Sequence, residues 1–320
     1  MREECLSLAR ELSRHSSRLL EGCDCILLSG GIDTSFVAVS HPEPGSVTAI
    51  TVDLGGDDVA YASRVAGALG MDHLVVRPSR EVFVELVGEA AALLGSIDPV
   101  EASAGAVHVA SSRAALRLGC RCLATGDGGD ELFLGYGFLL RRDPGYLRRW
   151  IEEMASRAWL PTVYVAKSLG LEPVAPLYSE VAKRIALNAP LECLLGEPRV
   201  GKYMLRLYLE EAGLRDVAWR PKTPVTSGSG ALSLLEAIAS TWGPVDVDGW
   251  LGFKPPSKLH AVVAHLARKA GMTPPPTCTG KGSKCPVCGR CLNDRGYCRF
   301  CGAIVSGGKV LMHYSSGPPS

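Results

Sequence analysis

Two short apolar runs in this chain end in glycine-rich, acid-bearing turns, and that repeated arrangement constrains the fold more than any other feature. Cys25-Ile26-Leu27-Leu28 leads into Ser29-Gly30-Gly31-Ile32-Asp33, and the run from Arg121 to Thr125 leads into Gly126-Asp127-Gly128-Gly129-Asp130-Glu131. Short apolar runs without polar alternation fit strands covered on both faces, as in parallel sheets packed between helices. A parallel sheet also needs a crossover between strands, and the intervening segments supply it.

The segment from about residue 3 to 20 carries Cys5, Leu8, Ala9, Leu12 and Leu19 at three- and four-residue spacing and reads as an amphipathic helix. A helix over Ser35–Ser40, a strand over Val47–Val52, a helix over Val59–Leu69 and a strand over His73–Val76 follow. Helices over Glu81–Leu94 and Ala104–Leu118 precede the strand that ends at Thr125. This alternation predicts an α/β fold with a doubly wound parallel sheet, whose ligands gather at the carboxyl ends of its strands. Residues 1–140 form that domain in this reading, and residues 141–270, where strand signals fade, form a helical domain that completes the site. A Pro-rich linker (271–277), a small cysteine module (278–305) and a tail (306–320) complete the division.

At 320 residues, 47% hydrophobic and 21% charged, the chain can bury a core without disulfide staples and is unlike a disordered sequence. Its net charge of +1 gives no whole-chain attraction to nucleic acid or to a membrane. No apolar run approaches the ~20 residues of a membrane span, and Met1-Arg2-Glu3-Glu4 begins no apolar signal segment, so a cytoplasmic location without a membrane partner is expected.

The chemistry lies in the two turns. A strand that ends in Ser-Gly-Gly and runs into a helix concentrates unpaired N–H groups and the positive end of a helix dipole, which makes an anion site. Hydroxyls of Ser29, Thr34 and Ser35 add donors. Asp33 would repel a phosphate unless a cation lay between them, and magnesium suits hard oxygens on both sides. The second turn places Asp127, Asp130 and Glu131 within five residues, again a cluster that calls for a cation.

Ser29-Gly30-Gly31-Ile32-Asp33-Thr34-Ser35 resembles the SGGxD[ST] pyrophosphate loop of the PP-loop ATP-pyrophosphatase superfamily, whose fold is adenine-nucleotide-hydrolase-like. With Gly126-Asp127-Gly128-Gly129-Asp130-Glu131-Leu132-Phe133-Leu134-Gly135-Tyr136, it resembles the synthetase domain of glutamine-dependent asparagine synthetase and of β-lactam synthetase. Gly201-Lys202-Tyr203-Met204-Leu205-Arg206 and Trp219-Arg220-Pro221-Lys222 are similar to the late lysine segment and Arg-x-Lys motif of that family, so the likeness extends from about residue 5 to 230. It implies an ATP-dependent carbon–nitrogen ligase that adenylates a carboxylate, releases pyrophosphate and lets ammonia or an amine attack. Aspartate is the acceptor the likeness suggests first. Leu28, Ser29, Gly30, Gly31, Asp33, Thr34, Ser35, Val52 and Gly126 would bind ATP and pyrophosphate, Asp33 and Asp130 would ligate magnesium, and Lys202 with Asp127 would be catalytic.

Two departures stand out. Arg2 occupies the place of the glutaminase cysteine, so the nitrogen is expected from free ammonia, an amine or a separate glutaminase. Asp127 stands where asparagine synthetases carry glutamate, and that one-methylene change bears on acceptor choice.

Six of the twelve cysteines fall between Cys278 and Cys301. Cys285-Pro-Val-Cys288-Gly and Cys298-Arg-Phe-Cys301-Gly read as the two knuckles of a zinc ribbon with a structural ion. The competing set, Cys278, Cys285, Cys288 and Cys291, is similar to the cluster of 7-cyano-7-deazaguanine synthase. The remaining cysteines read as small core residues, and Gly55-Gly56-Asp57-Asp58 as a turn and helix cap. From Thr277 onward six basic side chains face one acid, which keeps open a tRNA-modifying enzyme that grips RNA through the ribbon. A nucleotide-binding regulator without chemistry is the third reading.

Overall fold

The computed structural model describes residues 1–279 and 282–314. The chain opens with α1 (Arg2–Leu19), β1 (Cys25–Leu27), α2 (Ile32–Val39), β2 (Thr48–Val52), α3 (Asp58–Leu69) and β3 (Asp72–Val76). Helices α4 (Arg80–Leu94) and α5 (Pro99–Arg117) lead to β4 (Cys122–Ala124), α6 (Gly129–Leu132), α7 (Pro144–Arg157), α8 (Pro161–Ser168) and β5 (Glu172–Val174). Helices α9 (Glu180–Asn188), α10 (Leu191–Leu195), α11 (Tyr203–Glu211) and α12 (Arg215–Ala218) follow. Then come α13 (Val225–Gly228), α14 (Ala231–Ser240), α15 (Asp248–Leu251), α16 (Lys258–Lys269) and the hairpin β6 (Ala303–Ser306) and β7 (Lys309–Met312).

Five strands form one sheet in the order β3-β2-β1-β4-β5, every pair parallel. The expected α/β doubly wound architecture is what the chain adopts. Strand order reverses between β1 and β4, and an open sheet holds its ligands in the crevice beyond the carboxyl ends of the strands at such a reversal. The two glycine-rich turns leave the sheet at that point.

The fifth strand is absent from the sequence reading. Glu172-Pro173-Val174 is three residues long and contains a proline, which argues against a strand interior. It lies at the sheet edge, where Glu172 N–H donates to Arg121 and the Val174 carbonyl accepts from Thr125, so Pro173 needs no ladder donor. Helix α2 begins at Ile32 rather than Ser35, because Gly31 caps it in an extended conformation directly after the turn.

Contacts divide the chain into two compact units, Met1–Val76 with Ser111–Pro224 and Arg77–Ala110 with Val225–Ser320. The helical stretch read as 141–270 is shared between them, and the boundary falls inside α5. In the first unit the core is built on Phe36, Leu12, Ile26, Leu28, Phe133 and Leu205, with a smaller cluster around Ile50 and Leu123. In the second unit Gly88 brings α4 so close to Leu266 of α16 that a Cβ would lie 2.8 Å from its carbonyl oxygen.

The core cysteines of the first unit are paired, not merely packed. Cys5 bonds Cys193, Cys23 bonds Cys122 and Cys25 bonds Cys120. Cys23 and Cys122 pack with the main core and Cys25 and Cys120 with the smaller cluster, so these two bonds tie β1 to β4 through both faces of the sheet. Spacings of 95 to 188 residues concealed the pairs: two form only once β1 and β4 are adjacent, and Cys5–Cys193 only once α1 packs beside α10. The cysteines therefore no longer argue for a reducing compartment. Among the described residues no helix is long and apolar enough to cross a membrane.

Candidate active site and metal centre

The pyrophosphate-type loop is held by its own hydroxyls. Ser29 N–H donates to Thr34 Oγ1 at 3.2 Å and Gly31 N–H to Ser29 Oγ at 3.2 Å, while Ser35 Oγ is buried without a partner. Gly30 adopts φ +65° and lies so close to α3 that a Cβ would come 2.4 Å from the Ala62 nitrogen. Leu28 and Val52, at the ends of their strands, are both buried.

The second turn closes against the first. A Cβ on Gly126 would sit 3.0 Å from Asp33 Cβ, and one on Gly129 would sit 2.2 Å from Asp33 Oδ1. Gly128, at φ +96°, lets the chain pass Leu177. Only glycine permits this approach, so the glycines of the second turn exist to bring Asp33 and Asp130 toward one cation.

That cation is Lys202. Its Nζ lies 2.5 Å from Asp33 Oδ2 and 2.8 Å from Asp130 Oδ1, across more than 70 and 160 residues of sequence. The residue itself adopts φ +54°, a left-handed conformation unfavourable for a side chain, and its N–H donates to the Phe133 carbonyl at 2.9 Å. Such a conformation persists only where its surroundings over-determine it. Gly201 before it, at φ +71°, lets the backbone pass the Leu134 carbonyl, and Gly135, whose Cβ would lie 2.0 Å from Lys202 Cε, clears the way for the side chain. Lys222 Nζ adds a second cation 3.4 Å from Asp130 Oδ2.

The electrostatics follow from burial. Burial lifts the Asp33 carboxyl above its ordinary value, with Lys202 opposing. Burial acts on Asp130 in the same direction, but Lys202 and Lys222 together hold it below the usual range. Lys202 is kept fully protonated by its two carboxylates in spite of its burial. Burial pushes Asp127 up to about 6, opposed by the hydroxyls of Thr125 and Thr162. Glu131 is pushed up to about 7 by burial, and Tyr136 donates to it at 2.6 Å.

The buried oxygens Asp33 Oδ1 and Asp127 Oδ2 have no hydrogen-bond partner. A hard divalent cation satisfies such oxygens, so the acid cluster fits magnesium; of the two expected ligands Asp33 offers an unpartnered oxygen, whereas both Asp130 oxygens face Lys202 and Lys222. The structure thus brings Asp33, Lys202, Asp127 and Asp130 together with Ser29, Thr34, Ser35 and Gly126.

Three contributions escaped the sequence reading. Gly55-Gly56-Asp57-Asp58 is the expected turn and cap, with Asp57 at the N-cap of α3, but Asp58 does more: it is buried and accepts from Arg220 Nη2 at 2.8 Å, while Arg220 Nη1 donates to the Ser29 carbonyl at 3.1 Å. Lys222 joins Asp130, and Glu131 pairs with Tyr136. The Arg220-x-Lys222 spacing was the available signal, but its acidic partners lie about 90 and 160 residues upstream.

In the second unit, Cys285, Cys288, Cys298 and Cys301 are buried with their sulfurs all within 4.8 Å of one another. Cys285 and Cys301 sulfurs are 3.8 Å apart and those of Cys288 and Cys298 are 3.4 Å apart. A tetrahedron of thiolates about 2.3 Å from zinc has edges of about 3.8 Å, so the donor set fits that ion. The knuckles share one backbone pattern. Gly289 and Gly302, at φ +74° and +72°, return their N–H groups to the carbonyls of Cys285 and Cys298. The competing set fails, because Cys278 bonds Cys291.

The basic surface of this module is smaller than its composition indicates. Arg290 is buried, donates to the carbonyls of Pro275, Cys288 and Leu251, and lies over Phe253 and Phe300. Tyr297 donates to Asp98 and Glu101, and Phe300 is buried, so neither ring is presented for base stacking. Lys281 lies outside the described residues.

Comparison with known proteins places the chain by sequence similarity. Residues 24–175 match the family described as Asparagine synthase. The chain is 26% identical over 282 residues to "Putative asparagine synthetase (glutamine-hydrolyzing) 1" of Methanocaldococcus jannaschii, an alignment covering 74% of this chain and 51% of that protein. The chain thus spans about half the length of this curated relative. The matched segment, residues 24–175, holds the pyrophosphate-type loop, the acid turn and all five strands of the sheet, so the similarity to the asparagine synthase family falls on the part of the chain that carries them.

Proposed function

We propose that the protein is an ATP-dependent carbon–nitrogen ligase that activates a carboxylate by adenylation and transfers it to ammonia or an amine. The observation that carries this reading is the buried Asp33–Lys202–Asp130 group where the two glycine-rich turns meet. In the adenylation step a carboxylate oxygen forms a bond to the α-phosphorus of ATP while the bond to the bridging α–β oxygen breaks, and pyrophosphate leaves. Ser29, Gly30, Gly31, Thr34 and Ser35 hold the pyrophosphate, and Leu28, Val52 and Gly126 border the nucleotide. Lys202 offsets the charge that develops on the phosphoryl oxygens, an effect that fixed cations supply without reorganisation. Magnesium held by Asp33 and Asp130 would neutralise the leaving pyrophosphate.

In the second step the amine nitrogen bonds to the acyl carbon, AMP departs, and the nitrogen gives up a proton. Asp127, whose value near 6 leaves it ionised at neutral pH, orients the acceptor and receives that proton. Aspartate is the proposed acceptor. The nitrogen comes from free ammonia, an amine, or a separate glutaminase.

The test is pyrophosphate release from magnesium-ATP with aspartate plus ammonium, against a panel of other carboxylates and amines. Aspartate-dependent release with asparagine formed is the expected outcome, and the signal should vanish in Asp33→Ala. Release that survives in Asp33→Ala would overturn the magnesium assignment, and release with another carboxylate alone would replace aspartate.

A further inference from the structure

A cavity of about 480 Å³ opens on the first unit beside the pyrophosphate-type loop, lined by Tyr61, Arg64, Arg215, Asp216, Trp219 and Arg220. Neither Asp33, Asp130 nor Lys202 lines it. Its volume lies within the range of about 300–1,000 Å³ common among small-molecule sites. Its composition is unusual, with two aromatic rings and three guanidinium groups against one carboxylate.

The groups divide by how firmly they are held. Arg220 is almost fully buried, is fixed to Asp58 and the Ser29 carbonyl, and lies 4.0 Å over the Tyr61 ring. Arg220 and Tyr61 therefore form a rigid floor. Trp219, 38% exposed, supplies a half-open ring. At the rim, Arg64 and Arg215 are largely exposed, with loose contacts of 3.6 Å to Asp216 and 3.3 Å to Glu210. Such long contacts between exposed groups contribute little and yield readily to a better anion. Phosphate is that anion, because guanidinium groups match its geometry in a bidentate manner. A planar base suits the aromatic part, since any base can stack on the half-open Trp219 ring.

We propose that this cavity is a second nucleotide site, which takes the base of a nucleoside monophosphate against Trp219 and its phosphate on Arg64 and Arg215. The site adjoins the pyrophosphate-type loop twice. Arg220 bonds the Ser29 carbonyl, and Gly30 packs against the Tyr61 and Ala62 backbone. The proposal is independent of the ligase reading, because it concerns binding alone.

The test uses the full chain with GMP as probe, followed by equilibrium dialysis and by tryptophan fluorescence, in the presence of saturating magnesium-ATP. Saturable GMP binding is expected, with AMP within a few-fold of it and inorganic phosphate at least tenfold weaker. Arg64→Glu combined with Arg215→Glu should weaken GMP at least tenfold. Both side chains are exposed, so the variant keeps its fold, checked by an unchanged melting temperature. Trp219→Phe should remove the fluorescence response while dialysis still detects binding. Absence of binding, an unaffected arginine variant, or displacement of GMP by magnesium-ATP would each overturn a second site. Phosphate that binds as tightly as GMP would overturn the recognition of a base.

Discussion

At the residue scale the site depends on one lysine balancing two aspartates in a buried place. Removal of one partner from a buried ion pair costs about 3–5 kcal/mol because the other charge is left uncompensated. Lys202→Met should therefore lower the melting temperature as well as cut pyrophosphate release at least 100-fold, the scale expected when a fixed charge at the reacting phosphate is lost. Gly129→Ala separates the two effects. A methyl group 2.2 Å from Asp33 Oδ1 displaces that carboxylate while leaving Lys202 in place. Release should fall as steeply in this variant, while Lys202 and Asp130 remain paired. Both values are read from steady-state assays beside thermal melts.

Glu131 gives a pH signature. Burial raises its value from 4.5 to about 7, so between those limits the native state binds a proton that the unfolded chain does not. Stability from this group falls as pH rises through that window and is lowest above it. Glu131→Gln, which stays neutral, should melt several degrees above the parent at pH 8 and at the same temperature below pH 4.5, as calorimetry across that range will report.

At the element scale, the two turns are legible because their determinants are local. A strand that ends in Ser-Gly-Gly before a helix declares its geometry within ten residues. The strands β1 and β4 that carry them are tied by two disulfides through opposite sheet faces, a feature no local pattern announces. These bonds close nearly the same loop, of 99 and 95 residues. A closed loop of that length is worth about 4–5 kcal/mol of unfolded-state entropy, but a second bond across it adds little. Cys23→Ala with Cys122→Ala should accordingly change the melting temperature by a few degrees at most. Replacement of all four cysteines should cost about 4–5 kcal/mol, more than the sum of the two pairs, in denaturant titrations. The edge strand β5 was illegible for another reason: its pairing resides in the backbone of a Pro-containing tripeptide, and side-chain periodicity carries no trace of it.

At the scale of the whole molecule, two units are each assembled from separated stretches of chain. The cysteine module belongs to the second, where Gly302 approaches the Asp98 carboxylate and His313 Nδ1 lies 2.6 Å from Asp98 Oδ2. Against the pull of burial, Asp98 raises the value of His313, which holds the β6–β7 hairpin in place. About one zinc ion per chain is expected by elemental measurement. Cys285→Ser should lose it and lower the melting transition, because the free energy of a structural zinc is folding free energy.

The sequence by itself determined the α/β alternation, the two glycine-rich turns and the paired cysteine knuckles, since each is specified by residues within one turn or one strand–helix step. Only the tertiary structure decided that Lys202 lies between Asp33 and Asp130, that Arg220 bonds Asp58 at the start of α3, and that six core cysteines are bonded. The turns of Asp33 and Asp130 and two of the cysteine pairs meet because β1 lies beside β4, and the remaining partners arrive on or beside the helices packed around that sheet. Strand order arises from the packing of the whole sheet, whereas periodicity reports only which face of each element is buried.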